Sequence, residues 1–590
     1  MRALNWFRIA DFGPRFFSKA QRPPSERVGG PRWQLVAEWL LVLLVFAIHA
    51  GWPVPDPNEP YYLGKAIHFW QPDWVQGDFF LDTADAHATF YFTFGWLALW
   101  FGPTALAWTG RLLTWSLLAW GWQRLSWSVV PRRWWAVLSA TVLVACLENA
   151  HMAGEWMIGG VEGKSFAYVF VLLGLEAMAR ERWTKCWLLL GIASGFHVLV
   201  GGWAVVAVAI GWLLQGRYRA SAAEHLPGLV GGGLIALLGL IPTLLLNRGT
   251  PPDIVSWANE IYVYVRLGHH LNPMVIPDWF IVRFVALTAL WLLIWWLTAK
   301  SAKTISQRDA SQMPIAGQPW AIHGFVAGAV IIAVVGAVIA WLQPGGPAWT
   351  ASLLRFYWFR LSDVAVPMGV ALGVVQLEFV TREMVVSQPT TGGPTVTVVR
   401  RWSWLRRGVI AMAVLSSAAY LVPRAGQITY MQAPRSFRAS PSRSFADRAA
   451  NFVAWRDICH QIAASEEIPT TARFLTPRLS QTFKWYAQRP EVANWKEIPQ
   501  DAAGIVEWWR RMRKIHSYPG SWGRVYWYNS LARQGPRRLR GLAERYGADY
   551  AVTVASPTLP LPVVLRNNRY VVYRLDRPRE KAEPRAQLHP

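Results

Sequence analysis

The sequence predicts a mainly α-helical protein, a polytopic transmembrane helix bundle that is followed by a C-terminal α/β domain. Three observations predict this fold class. Hydrophobic residues form 53% of the 590 residues, and apolar runs of membrane length recur between residues 34 and 423. After residue 450, helix-like and strand-like segments alternate, which is the pattern of a small α/β layer domain.

The apolar runs define eleven predicted spans. The run 88–101 is short and ends at Gly102-Pro103, a helix-breaking pair, so we predict a half-membrane or surface-lying helix there. Two short spans abut at Gly201-Gly202, where we expect a tight hairpin or broken helices. The predicted spans are 34–53, 104–121, 134–150, 164–179, 186–200, 201–215, 227–246, 279–298, 322–342, 362–379 and 408–423.

Charge bias predicts the orientation in an inner (cytoplasmic) bacterial membrane. Residues 1–32 carry seven bases against two acids, so the N-terminus is predicted to lie inside. With 88–101 excluded from the spans, every inside loop is net basic, whereas counting it as a span would put basic loop 122–133 outside. Eleven spans leave the C-terminal region outside, since long domains are translocated regardless of charge. The inside loops are 122–133, 180–185, 216–226, 299–321 and 380–407.

The formal net charge of +24 does not indicate nucleic-acid binding. The basic residues lie in short inter-helix loops and in the C-terminal third, without a basic groove or a binding-module signature. Positive-inside topology and contact with anionic membrane lipid account for them. The three cysteines have no pairing or metal spacing, and the first apolar run is expected to stay as a signal anchor.

The loop after the first span is acidic. Residues 54–87 hold six acids and one base, Lys65. Asp56 and Glu59 precede Tyr61-Tyr62 and a predicted short amphipathic helix at 60–70. A solvated turn explains one acid after a proline, but a carboxylate held near a cleft is also a candidate general base. We therefore predict Asp56 and Glu59 as the catalytic residues.

Other unusual polar residues fall on the predicted outer side, and at membrane depth such residues mark a site or an internal ion pair. Glu162 has an alternative role in a structural pair with Lys164, and His197 has one as a hydrogen-bonded packing residue. His269-His270 lacks metal-ligand spacing, so we predict a phosphate or sugar contact and no metal site. The predicted substrate-binding residues are Tyr62, Lys65, Asp78, Glu155, Glu162, His197, His269, His270, Arg355 and Arg360.

Arg355 and Arg360 lie five residues apart among aromatic residues. They are either interfacial anchors or phosphate ligands, because a guanidinium grips phosphate with two parallel hydrogen bonds. We expect these two arginines, together with His269-His270, to face the same outer cavity as Asp56 and Glu59. A divalent cation held by the loop carboxylates is a possible cofactor, although no ligand spacing requires it.

The arrangement of Asp56, Glu59, Tyr62, Ala66 and Gly77-Asp78 resembles the GT-C glycosyltransferases, as does the segment from Phe101-Gly102 to Arg111. In that family the acidic pair is commonly adjacent, whereas here Pro57-Asn58 separates it, and this leaves open which acid is the base. The resemblance implies a membrane enzyme that uses a polyprenyl-phosphate-linked sugar at the outer face. It covers mainly residues 34–121 and the topology.

Nearly the whole chain also resembles a planctomycete-type family of polytopic membrane proteins whose activity is not known. The shared stretches include GDFFL, FHVLVGGW, HHLNP and RFYWFRLSD. Two functions therefore stay open: glycosyl transfer to an extracytoplasmic acceptor, or a non-catalytic transporter or lipid-binding scaffold with a sensing outer domain. Transporters often contain internal repeats, and the sequence shows no convincing one, which favours the enzyme.

The predicted domains are a basic cytoplasmic segment 1–32, a transmembrane domain 33–423, a linker 424–450, an extracytoplasmic α/β domain 451–577 and a disordered tail 578–590. In the α/β domain, helices are predicted at 452–466, 479–488, 501–514 and 537–546. Strands are predicted at 473–476, 491–494, 550–554, 563–566 and 570–573, the last two joined by a turn at Asn567-Asn568. The oligomeric state is not predicted.

Overall fold

The computed structural model describes residues 32–214, 220–308, 319–386, 403–430, 444–520 and 524–575. The predictions for the N-terminal segment before residue 32, for the middle of the linker and for the tail lie outside these residues. The chain divides into two compact units. The first unit comprises Met1–Gly51, Ala86–Thr93 and Trp108–Tyr430; the second comprises Trp52–Asp85, Phe94–Ala107 and Met431–Pro590.

Helices dominate the described chain. Short 3-10 turns and a π-helical segment at Ile261–Arg266 connect some of them. The α-helices are α1 Arg32–Ala50, α2 Glu59–Trp70, α3 Ala88–Thr93, α4 Pro103–Val129, α5 Trp135–Ala150, α6 Gly163–Ala179, α7 Trp183–Phe196, α8 Val198–Leu214, α9 Ala222–Leu245, α10 Pro252–Glu260, α11 Gly268–Leu271, α12 Asp278–Arg308, α13 Pro319–Leu342, α14 Gly346–Leu354, α15 Arg360–Val386, α16 Ser403–Tyr430, α17 Phe445–Ala464, α18 Phe483–Ala487, α19 Ala502–His516 and α20 Gly535–Tyr546.

Six of the described helices are long and apolar enough to cross a membrane: α1, α9, α12, α13, α15 and α16. By length and composition the chain is therefore a multi-pass membrane protein. Helices α5 and α8 are apolar but shorter. Each of the eleven predicted spans coincides with a helix, but the number that crosses the bilayer stays a prediction.

The region 88–101 contains no long helix. It forms the six-residue helix α3 and a 3-10 turn at Gly95–Leu99. Helices α1 and α4 on either side are antiparallel, because Gln123 near the end of α4 donates to the carbonyl of Leu35 near the start of α1. The connection between these two antiparallel helices therefore contains only short helical segments, and its position in the membrane stays a prediction.

The break between the seventh and eighth helices lies at His197, not at Gly201-Gly202 as predicted. Gly201 is already inside α8, where its backbone lies against Ser194 of α7 so closely that a Cβ atom would overlap the Ser194 backbone. Gly201 therefore permits close packing of the two helices and does not form the turn. The sequence prediction placed the turn at Gly201-Gly202 because glycine is common both in turns and in close helix contacts.

Helices α7 and α9 also touch backbone to backbone. A Cβ atom on Gly191 would overlap the backbone of Gly232, and one on Gly232 would overlap the carbonyl oxygen of Trp187. Small residues at such contacts let membrane helices approach closely and gain dispersion energy. The hydrophobic core of the first unit extends from α7 through α5, α6, α8, α13 and α15.

The second unit contains a four-stranded sheet in the order β1-β4-β6-β5. Strand β1 is parallel to β4, and the other neighbours are antiparallel. The predicted terminal hairpin at Asn567-Asn568 is present as β5 and β6. The strands are β1 Phe474–Leu475, β2 Ser517–Pro519, β3 Val525–Trp527, β4 Tyr550–Val554, β5 Val563–Arg566 and β6 Tyr570–Arg574.

Three details of the second unit differ from the sequence prediction. Residues 491–494 do not form a strand; a single bridge joins Glu491 to Phe474. The small hairpin of β2 and β3 was not predicted. Helices α16 and α17 extend into both ends of the predicted linker, which leaves only residues 431–444 between them. Most of the acidic loop lies within residues 52–85, which belong to the same compact unit as the C-terminal domain although they follow the first span in sequence.

Candidate functional site

Asp56 and Glu59 close a short turn at the start of α2. The backbone N–H of Asp56 donates to the Glu59 carboxylate at 2.7 Å, and the N–H of Glu59 donates to the Asp56 carbonyl at 3.0 Å. Pro60 stands in the first turn of α2, where its missing N–H costs nothing. Glu59 is fully buried, whereas Asp56 keeps 8% of its surface exposed. The two predicted catalytic acids therefore occupy different environments.

Lys65 lies on α2 and is buried against the remainder of the acidic loop. Its ammonium donates to the carbonyl of Leu81 at 3.3 Å and to the hydroxyl of Thr83 at 3.0 Å, and it also contacts the Thr83 carbonyl. Burial lowers the pKa of Lys65, and Asp85 and Asp78 partly oppose this effect. Tyr62 is half-buried, with its ring 4.9 Å from that of Tyr61. Lys65 thus holds the loop together from inside.

Asp78 joins the acidic loop to the C-terminal domain. One carboxylate oxygen accepts the N–H groups of Phe80 and Leu81 at 3.0 and 3.1 Å. The other accepts the N–H of Glu491 at 3.0 Å and lies 3.4 Å from the ammonium of Lys484. Asp78 is fully buried, so this predicted substrate-binding residue is occupied by contacts with the protein itself.

A buried ionic cluster surrounds Lys484 in the C-terminal domain. Its ammonium lies 2.9 Å from Glu491 and also contacts Glu497, and Asn494 donates to both carboxylates at 2.8 and 2.7 Å. Burial by itself lowers the pKa of Lys484, but Asp78 and the two glutamates more than reverse this and raise it. Burial raises the pKa of Glu497 to about 8. Three acids thus face one base, and Glu497 is the acid that keeps its proton near neutral pH.

In the first unit, Asp363 at the start of α15 fixes the loop between α5 and α6. Its carboxylate accepts three backbone N–H groups, those of Met152 and Ala153 at 2.8 Å each and that of Glu155 at 3.2 Å. Arg283 of α12 donates twice to the carbonyl of His151, at 3.1 and 2.9 Å. The loop 151–155 is therefore anchored through its backbone by two charged side chains on different helices.

The side chain of Glu155 lies between two cations. One oxygen lies 3.1 Å from the ammonium of Lys164, and the other lies 2.7 Å from Nε of Arg360. Lys164 also lies 3.4 Å from Glu162. The guanidinium carbon of Arg360 is 3.8 Å from the ring centre of Tyr357. The structure thus brings together Glu155, Glu162 and Arg360, three of the predicted substrate-binding residues.

The two neighbouring histidines differ in exposure. His270 contacts the carbonyl of Ala153 through Nδ1, so it also belongs to the anchored loop. His269 is exposed, with its ring 4.0 Å from that of His270. His270 therefore joins the group around Glu155 through its contact with Ala153.

Arg355 and His197 lie in other contacts. Arg355 donates to the side chain of Asn259 at 2.6 Å, and burial lowers the pKa of its guanidinium. His197 accepts the N–H of Val200 at 3.3 Å at the break between α7 and α8, and its ring lies 5.9 Å from that of His87. The contact of Arg355 joins two segments that are 96 residues apart, whereas that of His197 is local and lies at the break between two helices.

Sequence reasoning missed Arg283 and Tyr168. Tyr168 donates to Glu155 at 3.4 Å from inside α6. Arg283 stands inside the apolar helix α12, and a charge in such a helix is costly enough to have marked it as a candidate. Tyr168 carries no comparable signal, because a tyrosine is common in an apolar helix. The described residues contain no group of three or more His, Cys, Asp or Glu side chains that could hold a metal ion.

Comparisons with known proteins give a partial domain match and several distant structural likenesses, of which two are described. Residues 453–515, less than half of the chain, match a family described as a domain of unknown function (DUF6798). No curated protein matches the sequence. ArnT from Cupriavidus metallidurans in the apo state has a TM-score of 0.39 and 16% identity, with 92% of this chain and 97% of that chain covered.

The second likeness is to the Archaeoglobus fulgidus oligosaccharyltransferase, in a complex with zinc and sulfate. It has a TM-score of 0.41 and 14% identity, with 88% of this chain and 67% of that chain covered. Both scores are too low for either likeness to establish a shared fold.

Proposed function

We propose that the protein is a membrane glycosyltransferase that transfers a sugar from a polyprenyl-phosphate donor to an extracytoplasmic acceptor, with Asp56 as the general base. The supporting observation is the unequal burial of the acidic pair. A base must come within about 3 Å of the proton that it removes. Both residues are buried, but Asp56 keeps 8% of its surface exposed and Glu59 keeps none, and the Glu59 carboxylate already accepts a backbone N–H. Asp56 is then the base, and Glu59 is a positioning residue.

The proposed reaction is a single displacement. The acceptor oxygen forms a bond to the anomeric carbon of the sugar, and the bond from that carbon to the phosphate oxygen breaks. Asp56 takes the proton of the acceptor hydroxyl, and the electron pair of the broken bond leaves with the polyprenyl phosphate. A positioned base of this kind contributes about a hundredfold to ten-thousandfold in rate.

For the departing phosphate we propose Arg360 as the main contact, with Arg355, His269 and His270 as further contacts. Arg360 keeps 17% of its side chain exposed and is held by Glu155 and Tyr357. A cation that is already fixed stabilises developing charge without reorganisation. Lys65 and Asp78 of the second unit are more buried and are proposed to position the loop that carries Asp56 and Tyr62. Glu162 of the first unit is also buried and is proposed to position Lys164 beside Glu155.

The test is a transfer assay with the purified full-length chain and a panel of polyprenyl-phosphate sugars, in which released polyprenyl phosphate is measured. Asp56→Asn is expected to abolish release while the thermal unfolding temperature stays unchanged. Asp82→Asn is the matched control, because Asp82 belongs to the same loop but keeps 52% of its side chain exposed. Full activity of Asp56→Asn contradicts the assignment of the base. Donor binding without any release favours the non-catalytic alternative.

The proposed orientation places the N-terminus inside and the second unit outside. Single cysteines in a cysteine-free background test it, at the exposed positions Ala84, Glu467 and Arg182. An impermeant thiol reagent added to spheroplasts is expected to label positions 84 and 467 and to leave position 182 unlabelled. The reverse labelling pattern overturns the orientation, and with it the extracytoplasmic acceptor.

A further inference from the structure

We propose that a cavity at the N-terminal end of α1 binds the phosphate headgroup of an anionic phospholipid. The cavity has a volume of about 430 Å³, which lies within the size range of small-molecule pockets. The start of α1, the end of α4 and the turn after α6 form its walls. The lining residues are Leu35, Val36, Trp39, Trp120, Gln123, Arg124, Trp127 and Arg180. This site is independent of the proposed glycosyl transfer.

The charged side of the cavity consists of two arginines that share one carboxylate. Arg124 and Arg180 lie 3.0 and 2.6 Å from the same oxygen of Glu176. The glutamate side chain is 1% exposed, whereas the arginine side chains are 38% and 40% exposed. Two positive charges against one negative charge leave a net charge of +1 in this group. The buried carboxylate orients both guanidiniums, and exposed guanidinium N–H groups are the donors that phosphate accepts.

The other acid nearby bonds to neutral side chains and a backbone N–H rather than to the two arginines. Glu38 is buried behind the wall, where its carboxylate accepts from Gln123 at 3.0 Å and from Trp127 at 2.7 Å. The helix ends around the cavity are basic as a group. They carry the bases Arg32, Arg124, Arg132, Arg133, Arg180, Arg182 and Lys185 against the acids Glu38, Glu176 and Glu181.

The apolar side of the cavity indicates a lipid and not a soluble anion. Three of its side chains are strongly exposed: Leu35 at 40%, Val36 at 51% and Trp120 at 42%. On a membrane helix such exposed apolar groups lie against lipid chains, and tryptophans concentrate at the level of the headgroups. A phospholipid matches both sides, with phosphate at the arginines and an acyl chain along the apolar wall. Free phosphate matches only the arginines.

The predicted topology places this cavity in the cytoplasmic leaflet, which in general carries the negative surface potential of anionic lipids. The cavity lies where α1 contacts α4, a contact that includes the hydrogen bonds from Trp39 to Ser116 and from Gln123 to Leu35. A bound lipid would therefore bridge the first helix of the bundle to the α4–α6 pair.

Native mass spectrometry of the delipidated full-length chain tests the proposal. The probes are phosphatidylglycerol, phosphatidylcholine with the same acyl chains, and glycerol phosphate. One phosphatidylglycerol molecule is expected to bind in preference to phosphatidylcholine, and glycerol phosphate is not expected to compete at equal concentration. Equal binding of the two lipids overturns the charge recognition. Equal competition by glycerol phosphate shows a soluble-anion site and overturns the lipid assignment.

Four variants locate the binding. Arg124→Gln lowers the net charge of the arginine–glutamate group to zero, and affinity for phosphatidylglycerol is expected to fall about fivefold. The double variant Arg124→Gln/Glu176→Gln restores the net charge to +1 and is expected to recover most of the binding. Val36→Trp fills the cavity without touching a charge and is expected to abolish binding.

The matched control is Arg182→Gln, which removes an exposed arginine two residues from Arg180 that does not line the cavity. Its affinity is expected to equal that of the wild type. Binding by Val36→Trp at the wild-type level overturns the cavity as the site. A fivefold loss in Arg182→Gln shows general electrostatics at this end of the bundle and also overturns it.

Discussion

Asp56 and Glu59 form two reciprocal hydrogen bonds. The backbone N–H of Asp56 donates to the Glu59 carboxylate at 2.7 Å, and the backbone N–H of Glu59 donates to the Asp56 carbonyl at 3.0 Å. The spacing of three residues makes this possible, as in a capping box, where a glutamate reaches back to the N–H three residues before it. Adjacent acids cannot form this arrangement. Pro57-Asn58 between the two acids thus makes this mutual bonding possible.

The first prediction distinguishes these roles. Asp56→Asn is expected to lower kcat by about a hundredfold or more, the contribution of a positioned base. Glu59→Gln keeps one side-chain oxygen that can accept the Asp56 N–H, so it is expected to retain most of the activity. Glu59→Ala loses that acceptor, and its activity and thermal stability are expected to fall together. The measurements are single-turnover transfer rates and unfolding temperatures for all three variants.

If Glu59→Gln loses as much activity as Asp56→Asn with an unchanged unfolding temperature, Glu59 is the base and the proposed assignment is reversed. Sequence analysis alone expected both substitutions to remove function. Burial separates them, and burial depends on the C-terminal residues packed around the loop, such as Tyr486, whose hydroxyl donates to the carbonyl of Val54.

The helices were largely predictable from the sequence, because a run of apolar residues directly reports contact with lipid or with a buried core. The position of the break at His197 was not predictable in the same way. Glycine favours both turns and close helix contacts, and only the packing of Gly201 on Ser194 shows which of these applies. The prediction of a strand at 491–494 was also wrong. The side chain of Glu491 contacts Lys484, and the backbone of this segment pairs with Phe474 at a single position.

Three residues of the group around Glu155 were predictable from the sequence, but the pairs that they form were not. A charged residue in an apolar segment is costly, so it indicates a site or an ion pair, and Glu155, Glu162 and Arg360 were predicted for this reason. Their partners are distant in sequence: Asp363 binds the N–H of Met152, 211 residues away. No local pattern contains such a pairing, since it depends on how α15 packs against α5 and the loop that follows it.

The second prediction concerns Arg360. Its guanidinium bonds Glu155 and stacks on Tyr357, and a lysine ammonium cannot reproduce this planar arrangement. Arg360→Lys is expected to weaken donor binding about tenfold while destabilising the protein by about 1 kcal/mol or less, since charge is kept. Arg360→Met leaves Glu155 with fewer donors and is expected to cost about 2 kcal/mol. Donor affinity and unfolding free energy are measured separately.

The matched control for Arg360 is Arg248→Lys, which changes an exposed arginine of the same unit. Neither donor affinity nor stability is expected to change in this variant. Unchanged donor affinity in Arg360→Lys, together with reduced stability, identifies Arg360 as a structural anchor and removes it from the proposed phosphate contacts.

The third prediction is a pH dependence of the C-terminal domain. Burial raises the pKa of Glu497 to about 8, above the value of about 4.3 expected for an unfolded chain. Between these values the folded state holds a proton that the unfolded state has released. The contribution of this proton to the free energy of unfolding is complete below about pH 4 and is lost as the pH rises through about 8. The free energy of unfolding falls over this range by at most about 1.4 kcal/mol per pH unit.

Glu497→Gln is uncharged at every pH and is expected to remove this slope, while Asp78 and Glu491 still neutralise Lys484. Hydrogen exchange of α18 in the full-length chain, corrected for the intrinsic exchange rate, measures the effect. Glu507→Gln is the control, because this carboxylate lies near the surface, 39% exposed, beside Arg511. A wild-type slope that persists in Glu497→Gln assigns the proton to another group.

The last prediction uses two neighbouring glycines of α9. At Gly232 a methyl group would overlap the carbonyl oxygen of Trp187, whereas at Gly233 it would meet nothing within 4 Å. Gly232→Ala must therefore push α7 and α9 apart, at a cost of about 1–3 kcal/mol. Gly233→Ala makes no such contact and gains helix propensity, so its stability is expected to equal or exceed that of the wild type. Both values come from thermal unfolding in the same detergent. Equal stability of the two variants would show that the backbone contact between α7 and α9 does not hold this part of the bundle together.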